Sequence, residues 1–274
     1  MRKNLLLSLF FTCSLFTFQS CADYNDDNTM PSGNNNGGGS SGNGSGNNNG
    51  GGNNTNNANL PIKIKTSGYT IDLKYDNNDR FIEVIRKESN GSFNLKVNLN
   101  YSSDTLKSIV ALYYNDMSKN TTNFNYKNDT IYAVRSYEGA TTKITDKLSV
   151  NKQGMLLNIK GHYKTNDRYF NNDSSGNIIL FNNNGHEGIL TYDSYNGVFS
   201  NVKLPFWVKA YVTAYYIHPS LNYNYANNVV SINYNSNNWT DEKFLYTFNK
   251  DNYPIQVSHT SSVGTAHFEI NYTK

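Results

Sequence analysis

Alternation of period two constrains this chain more than any other feature. Tyr69-Thr-Ile71-Asp-Leu73-Lys-Tyr75 and Phe93-Asn-Leu95-Lys-Val97-Asn-Leu99-Asn-Tyr101 each put apolar or aromatic side chains on one face and polar ones on the other. That is the pattern of a half-buried strand, whose successive side chains point to opposite faces. No segment past the first twenty residues carries a convincing helical period of useful length, so an all-β domain is expected. Its strands come in related pairs: LKYDNNDRFIEVIR (73–86), FNYKNDTIYAVRSY (124–137), LSVNKQGMLLNIKG (148–161), LTYDSYNGVFSNVK (190–203) and YTFNKDNYPIQVSH (246–259). Each reads as a strand ending on an aromatic or apolar residue, a turn rich in Asp, Asn, Lys and Gly, and a return strand. RYFNNDSSGNIILF (168–181) fits more loosely. Asn, Asp and Gly tolerate positive φ and bond to local backbone, as tight connections require, which places Gly154 and Gly197 at or beside turns. The spacing is irregular, so the expected fold is an antiparallel meander of successive β-hairpins in one domain.

These units resemble the YD repeat of secreted bacterial proteins. More closely, they resemble an uncharacterised family of Bacteroidota surface lipoproteins built from YD-like hairpins. Tyr75-Asp76 and Tyr192-Asp193 match the pair that opens the turn, and Asp251-Asn252-Tyr253-Pro254 matches the last unit, with Asn252 where Gly is usual. Asn227-Asn228-Val229-Val230 resembles an element before the final hairpin, whereas Phe248-Asn249 and Tyr126-Lys127 depart from the pair. The resemblance covers roughly residues 69–260, and it implies a fold but no activity and no functional residues.

The N-terminus bears on location. Residues 1–20 have the anatomy of an export signal: Arg2 and Lys3, then an apolar core from Leu5 to Phe18. That core is shorter than the roughly 20 apolar residues of a membrane-spanning helix. Phe18-Gln19-Ser20-Cys21 resembles the lipobox of bacterial lipoproteins, which implies cleavage after Ser20 and acylation of Cys21. Cleavage nearby by the ordinary signal peptidase, giving a secreted protein, is the alternative. Two or more acyl chains anchor stably, because each buried methylene contributes about 0.8 kcal/mol. Asp23, Asp26 and Asp27 follow, resembling the acidic signal that sends Bacteroidota lipoproteins to the outer face of the outer membrane. Cys13 leaves with the signal, so Cys21 is the one cysteine of the mature chain, and an acylated cysteine serves neither as disulfide nor metal ligand nor nucleophile.

From 21 to 59 a linker is expected, and its part from Pro31 to Asn59 is almost only Asn, Gly and Ser, with nothing to bury. As a flexible coil it spans on the order of 30 Å root-mean-square. The domain follows at 60–274, holding all tyrosines but Tyr24 and long enough for one sizeable core. Formal net charge is +3, and without Arg2 and Lys3 the mature part is near neutral. Its Lys and Arg are scattered and form no basic stripe, so no nucleic-acid partner is expected.

Candidate chemistry is sparse. His162, His186, His218, His259 and His267 form no His-x-x-x-His pair, and neither a catalytic elbow nor a phosphate-binding glycine loop is present. Gly185-His186-Glu187-Gly188 reads as a solvated turn. Asp76–Asp79 and Asp173–Asn177 offer closely spaced oxygen ligands, but turn formation explains them better than calcium does. The expectation is therefore no metal, no cofactor, no catalytic residue and no enzyme. The aromatic excess is more suggestive. In LPFWVKAYVTAYYIHP (204–219), strand alternation would line Trp207, Tyr211 and Tyr215 along one face as a strip for stacking on sugar rings. The same i, i+4, i+8 spacing also suits one face of a helix, and tyrosine commonly lines sheets as packing. Asp104-Thr-Leu and Asp129-Thr-Ile resemble weak O-glycosylation acceptors. The chain thus reads as a surface lipoprotein, anchored in the outer membrane through Cys21 and facing the exterior. Its domain is expected to be a non-catalytic binding module for a polysaccharide or an envelope protein. A structural subunit of an envelope complex, with an open sheet edge or apolar patch, is the alternative, and a hydrolase comes last.

Overall fold

The computed structural model describes residues 59–127, 130–162, 167–183, 185–235 and 239–273. The signal, Cys21 and the linker up to Ala58 lie outside them. Sixteen strands follow in order: β1 (Pro61–Lys65), β2 (Tyr69–Tyr75), β3 (Phe81–Glu88), β4 (Phe93–Ser102), β5 (Thr105–Tyr113), β6 (Ser118–Lys127), β7 (Thr130–Tyr137) and β8 (Lys143–Val150) form the first half. The second half is β9 (Leu156–Lys160), β10 (Arg168–Asn172), β11 (Ile178–Asn183), β12 (His186–Tyr192), β13 (Val229–Tyr234), β14 (Glu242–Phe248), β15 (Pro254–Ser261) and β16 (Gly264–Tyr272). Each strand pairs antiparallel with the next, which is the expected meander of hairpins. β16 also pairs with β1, so the sheet closes into a barrel and has no open edge.

One construction repeats around the end where Leu60 enters. The last inward tyrosine of an even strand donates its hydroxyl to a carbonyl at the start of the preceding odd strand: Tyr75 to Pro61 (2.7 Å), Tyr101 to Phe81 (2.9 Å) and Tyr126 to Leu106 (2.8 Å). Tyr192 bonds Ile178 (2.9 Å), Tyr246 bonds Val229 (2.6 Å) and Tyr272 bonds Pro254 (2.9 Å) in the same way. Asn172 replaces tyrosine at Leu156 (2.7 Å). The Asp or Asn that opens the turn then accepts backbone N–H groups two and four residues on. Asp76 does so from Asn78 and Arg80, Asn151 from Gln153 and Met155, Asp173 from Ser175 and Asn177, and Asn249 from Asp251 and Tyr253. The third residue after it takes positive φ: Asp79, Gly154, Gly176 and Asn252. These carboxylates are occupied as turn acceptors.

The unit at 190–203 departs from this scheme. Instead of a return strand, residues 194–227 leave the wall, and β13 begins only after them. The turn chemistry survives the insertion. Asp193 Oδ1 accepts from Tyr195 and from the N–H of Asn228 (both 3.1 Å), and the Asp193 N–H donates to Asn228 O, as Asp76 does to Arg80. Asn228 therefore stands where the fifth residue of an ordinary turn would. Gly197 sits inside the insertion without positive φ. A Cβ there would lie 2.8 Å from Asn224 O, so glycine permits close backbone approach.

The insertion explains how so wide a barrel has a core. Sixteen strands about 4.8 Å apart give a circumference of ~77 Å and a diameter of ~25 Å before tilt. Wall side chains fill about 5 Å on each side, half the ~10 Å between packed sheets, and leave a column wide enough for a helix about 10–12 Å across. The helix α1 (Phe206–Val212) occupies it, continued by a π-helical stretch, Thr213–Ile217, and a 3₁₀ turn, Pro219–Leu221. The strand expected over 204–219 is thus a helix. Apolar residues all round a segment mark a buried helix, and only the alternative spacing noted above anticipated it. Trp207 and Tyr211 are fully buried, Trp207 edge-on to Phe124 at 5.2 Å, so no exposed aromatic strip exists there.

Wall residues facing the helix are apolar: Ile64, Ile71, Val84, Val97, Ile109, Ile131, Leu148, Phe181, Phe244 and Phe268 are all buried. Residues facing out carry ion pairs, Lys63 and Lys87 on Asp72, Lys74 and Lys96 on Glu83, and Lys65 on Glu269. A membrane-spanning barrel has the reverse arrangement, an apolar outside and a polar lumen. Such barrels also need strands of about 9–11 residues, and β1, β9 and β10 have five. No helix among the described residues is long and apolar enough to cross a membrane.

Candidate functional site at the far rim

Polar groups gather at the rim opposite the Tyr–Asp turns, on inward positions that the strand period continues from the apolar core. Arg86 on β3 donates from Nε and Nη2 to Asn94 Oδ1 (3.0 and 2.6 Å), and its guanidinium lies 5.4 Å from the Tyr69 ring. Arg135 on β7 lies 4.9 Å over the Tyr215 ring, 3.5 Å from Tyr211 Oη and 3.9 Å from the Asp146 carboxylate. Arg168 on β10 donates to Asn183 Oδ1 (3.1 Å). Arg135 packs on Tyr211 and Tyr215 in the C-terminal half of the buried helix, the end of a helix that favours cations. Burial pushes the Tyr69 hydroxyl up to about 12 and raises Tyr215 against the opposing pull of Arg135. These phenols stay protonated as donors at neutral pH.

A second constellation adjoins them. Glu242, the first residue of β14, sits 2.6 Å through Oε2 from His259 Nε2 on β15. The other ring nitrogen, Nδ1, is 2.7 Å from Ser220 Oγ in the 3₁₀ turn. Tyr234 donates its hydroxyl to Glu242 Oε1 (2.8 Å), and Phe244 stacks on the imidazole at 4.3 Å with the planes 7° apart. His218 Nδ1 accepts the Ser220 N–H (3.1 Å). Burial, then the nearby His259 and Arg86, push the His218 pKa down to about 4, so its ring is neutral above that.

The residues singled out in sequence fall differently. Trp207, Tyr211 and Tyr215 share a helix, and Tyr215 reaches the far-rim cluster beside Arg135 while Trp207 belongs to the core. His186 packs on Trp239 at 5.3 Å. Cys21 lies outside the described residues. No group of three His, Cys, Asp or Glu positioned to hold a metal ion occurs among the described residues. Ser220, Glu242 and His259 were not legible as a set. They are 17 and 39 residues apart in sequence, and only the barrel brings them together.

Lys209 is the other unusual group. It is buried in the first turns of α1, where its Nζ donates to Phe199 O (3.0 Å) and Ser200 O (3.4 Å). Burial, then Lys203, push its pKa down to about 7.

No protein-family model matches this chain, and neither does any curated protein. Among solved structures it is similar to a porin-like protein from Bacteroides uniformis ATCC 8492, with 13% identity over 78% of this chain and 98% of that one, at a TM-score of 0.49. It is similar also to a porin-like protein from Bacteroides vulgatus ATCC 8482, with 13% identity over 78% and 99%, at a TM-score of 0.39. Likeness of this degree carries neither family membership nor function to this chain.

Proposed function

We propose that this chain is a surface lipoprotein whose YD-like barrel is a ligand-binding module, held to the outer membrane through Cys21 and facing the exterior. The domain binds through its far rim. The observation that carries this reading is the inward set of Arg86, Arg135 and Arg168 interleaved with Tyr69 and Tyr215. Guanidinium groups suit carboxylates, and tyrosines suit sugar faces and hydroxyls. The ligand is accordingly an acidic polysaccharide segment. Leu60 joins the barrel at the opposite end through its bonds to Thr273, so a linker attached there leaves the far rim unobstructed. The ion-paired outer faces of β1–β4 and β16 support a domain that stands off the bilayer and does not span it.

Retention on an array of uronic-acid and neutral polysaccharides tests this. Wild type should hold an acidic glycan, and Arg86→Gln or Arg135→Gln should weaken retention at least about tenfold while unfolding stays cooperative. Absence of wild-type retention rejects the glycan reading. A second reading, an accessory subunit of an envelope complex, is favoured by a row of outward apolar residues on adjacent strands: Leu157, Tyr169, Ile179 and Ile189, each at least 40% exposed. Cross-linking from this face to one envelope protein in intact cells would select it.

A further inference from the structure

The line Ser220–His259–Glu242 accommodates a neutral imidazole in one tautomer. A carboxylate only accepts, so the ring proton sits on Nε2 facing Glu242, and Tyr234 fills the other carboxylate oxygen. Neutral imidazole then presents a lone pair at Nδ1, and the Ser220 hydroxyl donates to it. A serine bonded to a base, with the base oriented by a carboxylate, is the arrangement that activates a hydroxyl for acyl transfer. Phe244 holds the ring plane and leaves that pairing as its fixed orientation. Ser220 itself is only half-buried and lies in the far-rim cluster, whereas Lys209 is enclosed by carbonyls and helix.

We propose that Ser220 is a nucleophile, with His259 as its base and Glu242 as the positioning residue, and that this chain cleaves small carboxylic esters at the far rim. This goes beyond ligand binding and stands whether or not a polysaccharide is retained there. Ser220 Oγ adds to the ester carbonyl carbon as its proton passes to His259 Nδ1, and the carbonyl pair moves onto oxygen. Collapse expels the alkoxide, which takes the proton from Nδ1 and leaves acyl-Ser220. Water then adds in the same way, giving its proton to His259, and the carboxylic acid departs as Oγ is reprotonated. The balance is ester plus water to acid plus alcohol.

The oxyanion is where this site is weakest. The N–H groups of Ser220, Leu221 and Asn222 are taken by His218 Nδ1, His218 O and Pro219 O. Asn222 is fully buried, its Oδ1 accepts from Tyr225 (2.5 Å), and its amide nitrogen has no partner. It is the unspent donor nearest Ser220 in the chain. One missing oxyanion donor costs about 10²–10³ in rate, and both acylation and deacylation pass through an oxyanion, so slow turnover even of an activated ester is expected.

The test is labelling of the full mature protein with a fluorophosphonate, followed by peptide mapping. One adduct should map to Ser220 and disappear in Ser220→Ala and His259→Gln, while Glu242→Gln should slow labelling at least about tenfold. The wild-type labelling rate should depend on pH, because only a neutral base takes the serine proton. No adduct at Ser220, or wild-type labelling that does not change with pH, overturns the proposal even if the His259 variant does not fold. Loss of melting temperature in Ser220→Ala without any wild-type labelling would mean a structural clip between the insertion and the wall.

Discussion

Removing one hydroxyl from the repeated tyrosine tests how the barrel holds its register. In Tyr192→Phe the ring keeps its packing and the 2.9 Å bond to Ile178 O is lost. No cavity opens, so the cost is that of a buried carbonyl deprived of its donor, about 1–3 kcal/mol. For a domain of this size each kcal/mol moves the melting temperature by roughly 2–4 °C. A fall of about 2–12 °C is therefore expected, against no more than about 0.5 kcal/mol for Tyr169→Phe on the outer wall. Tyr75, Tyr101, Tyr126, Tyr246 and Tyr272 make the same bond on separate strands, so their losses should add. Six losses sum to roughly 6–18 kcal/mol, comparable with the whole stability of about 5–15 kcal/mol usual for a domain. The sixfold variant should be unfolded at 25 °C by urea titration and circular dichroism. A sixfold variant that melts with wild type would refute the lock and leave these bonds as incidental.

Trp207→Ala should cost about 3–5 kcal/mol, because the indole is core packing between helix and wall, and differential scanning calorimetry would show it. An unchanged melt would mean the helix does not fill the barrel. His218 gives a pH dependence whose sign is fixed: its folded pKa of about 4 lies below the unfolded value near 6.5, so unfolding takes up a proton between them. Stability is full above about pH 6.5 and falls as pH drops towards 4, by roughly 2–3 kcal/mol, with the Asp72, Asp76 and Glu83 ion pairs lost only lower still. Urea midpoints from pH 7.5 to 4.5 should show that fall, and His218→Gln should flatten it.

Strand alternation made the hairpins legible, because side-chain period and turn chemistry are local properties. Asp76, Asn151, Asp173 and Asn249 close the turns that their composition indicated. The return strand expected after Asp193 failed for an instructive reason. Its turn is real, but the N–H that completes it comes from Asn228, after the insertion, and local reading cannot see an acceptor satisfied from 35 residues away. Helix and strand were both compatible with Trp207, Tyr211 and Tyr215. The decision came from the width of a sixteen-strand barrel, and closure itself depends on β1 meeting β16 across the whole domain. The far rim was hidden for the same cause: Arg86, Arg135 and Arg168, like Ser220, Glu242 and His259, converge only once the wall has closed around the helix.

The barrel is turned inside out relative to a membrane pore, apolar within and ion-paired on the outer faces of β1–β4 and β16. Sedimentation equilibrium of the Cys21→Ala protein in detergent-free buffer, with circular dichroism on the same sample, tests it most directly. A dispersed species with a β-type spectrum and cooperative melting is the predicted result. Aggregation in buffer, with the same spectrum recovered only in detergent or lipid bilayers, would contradict it and make the wall a membrane-spanning one.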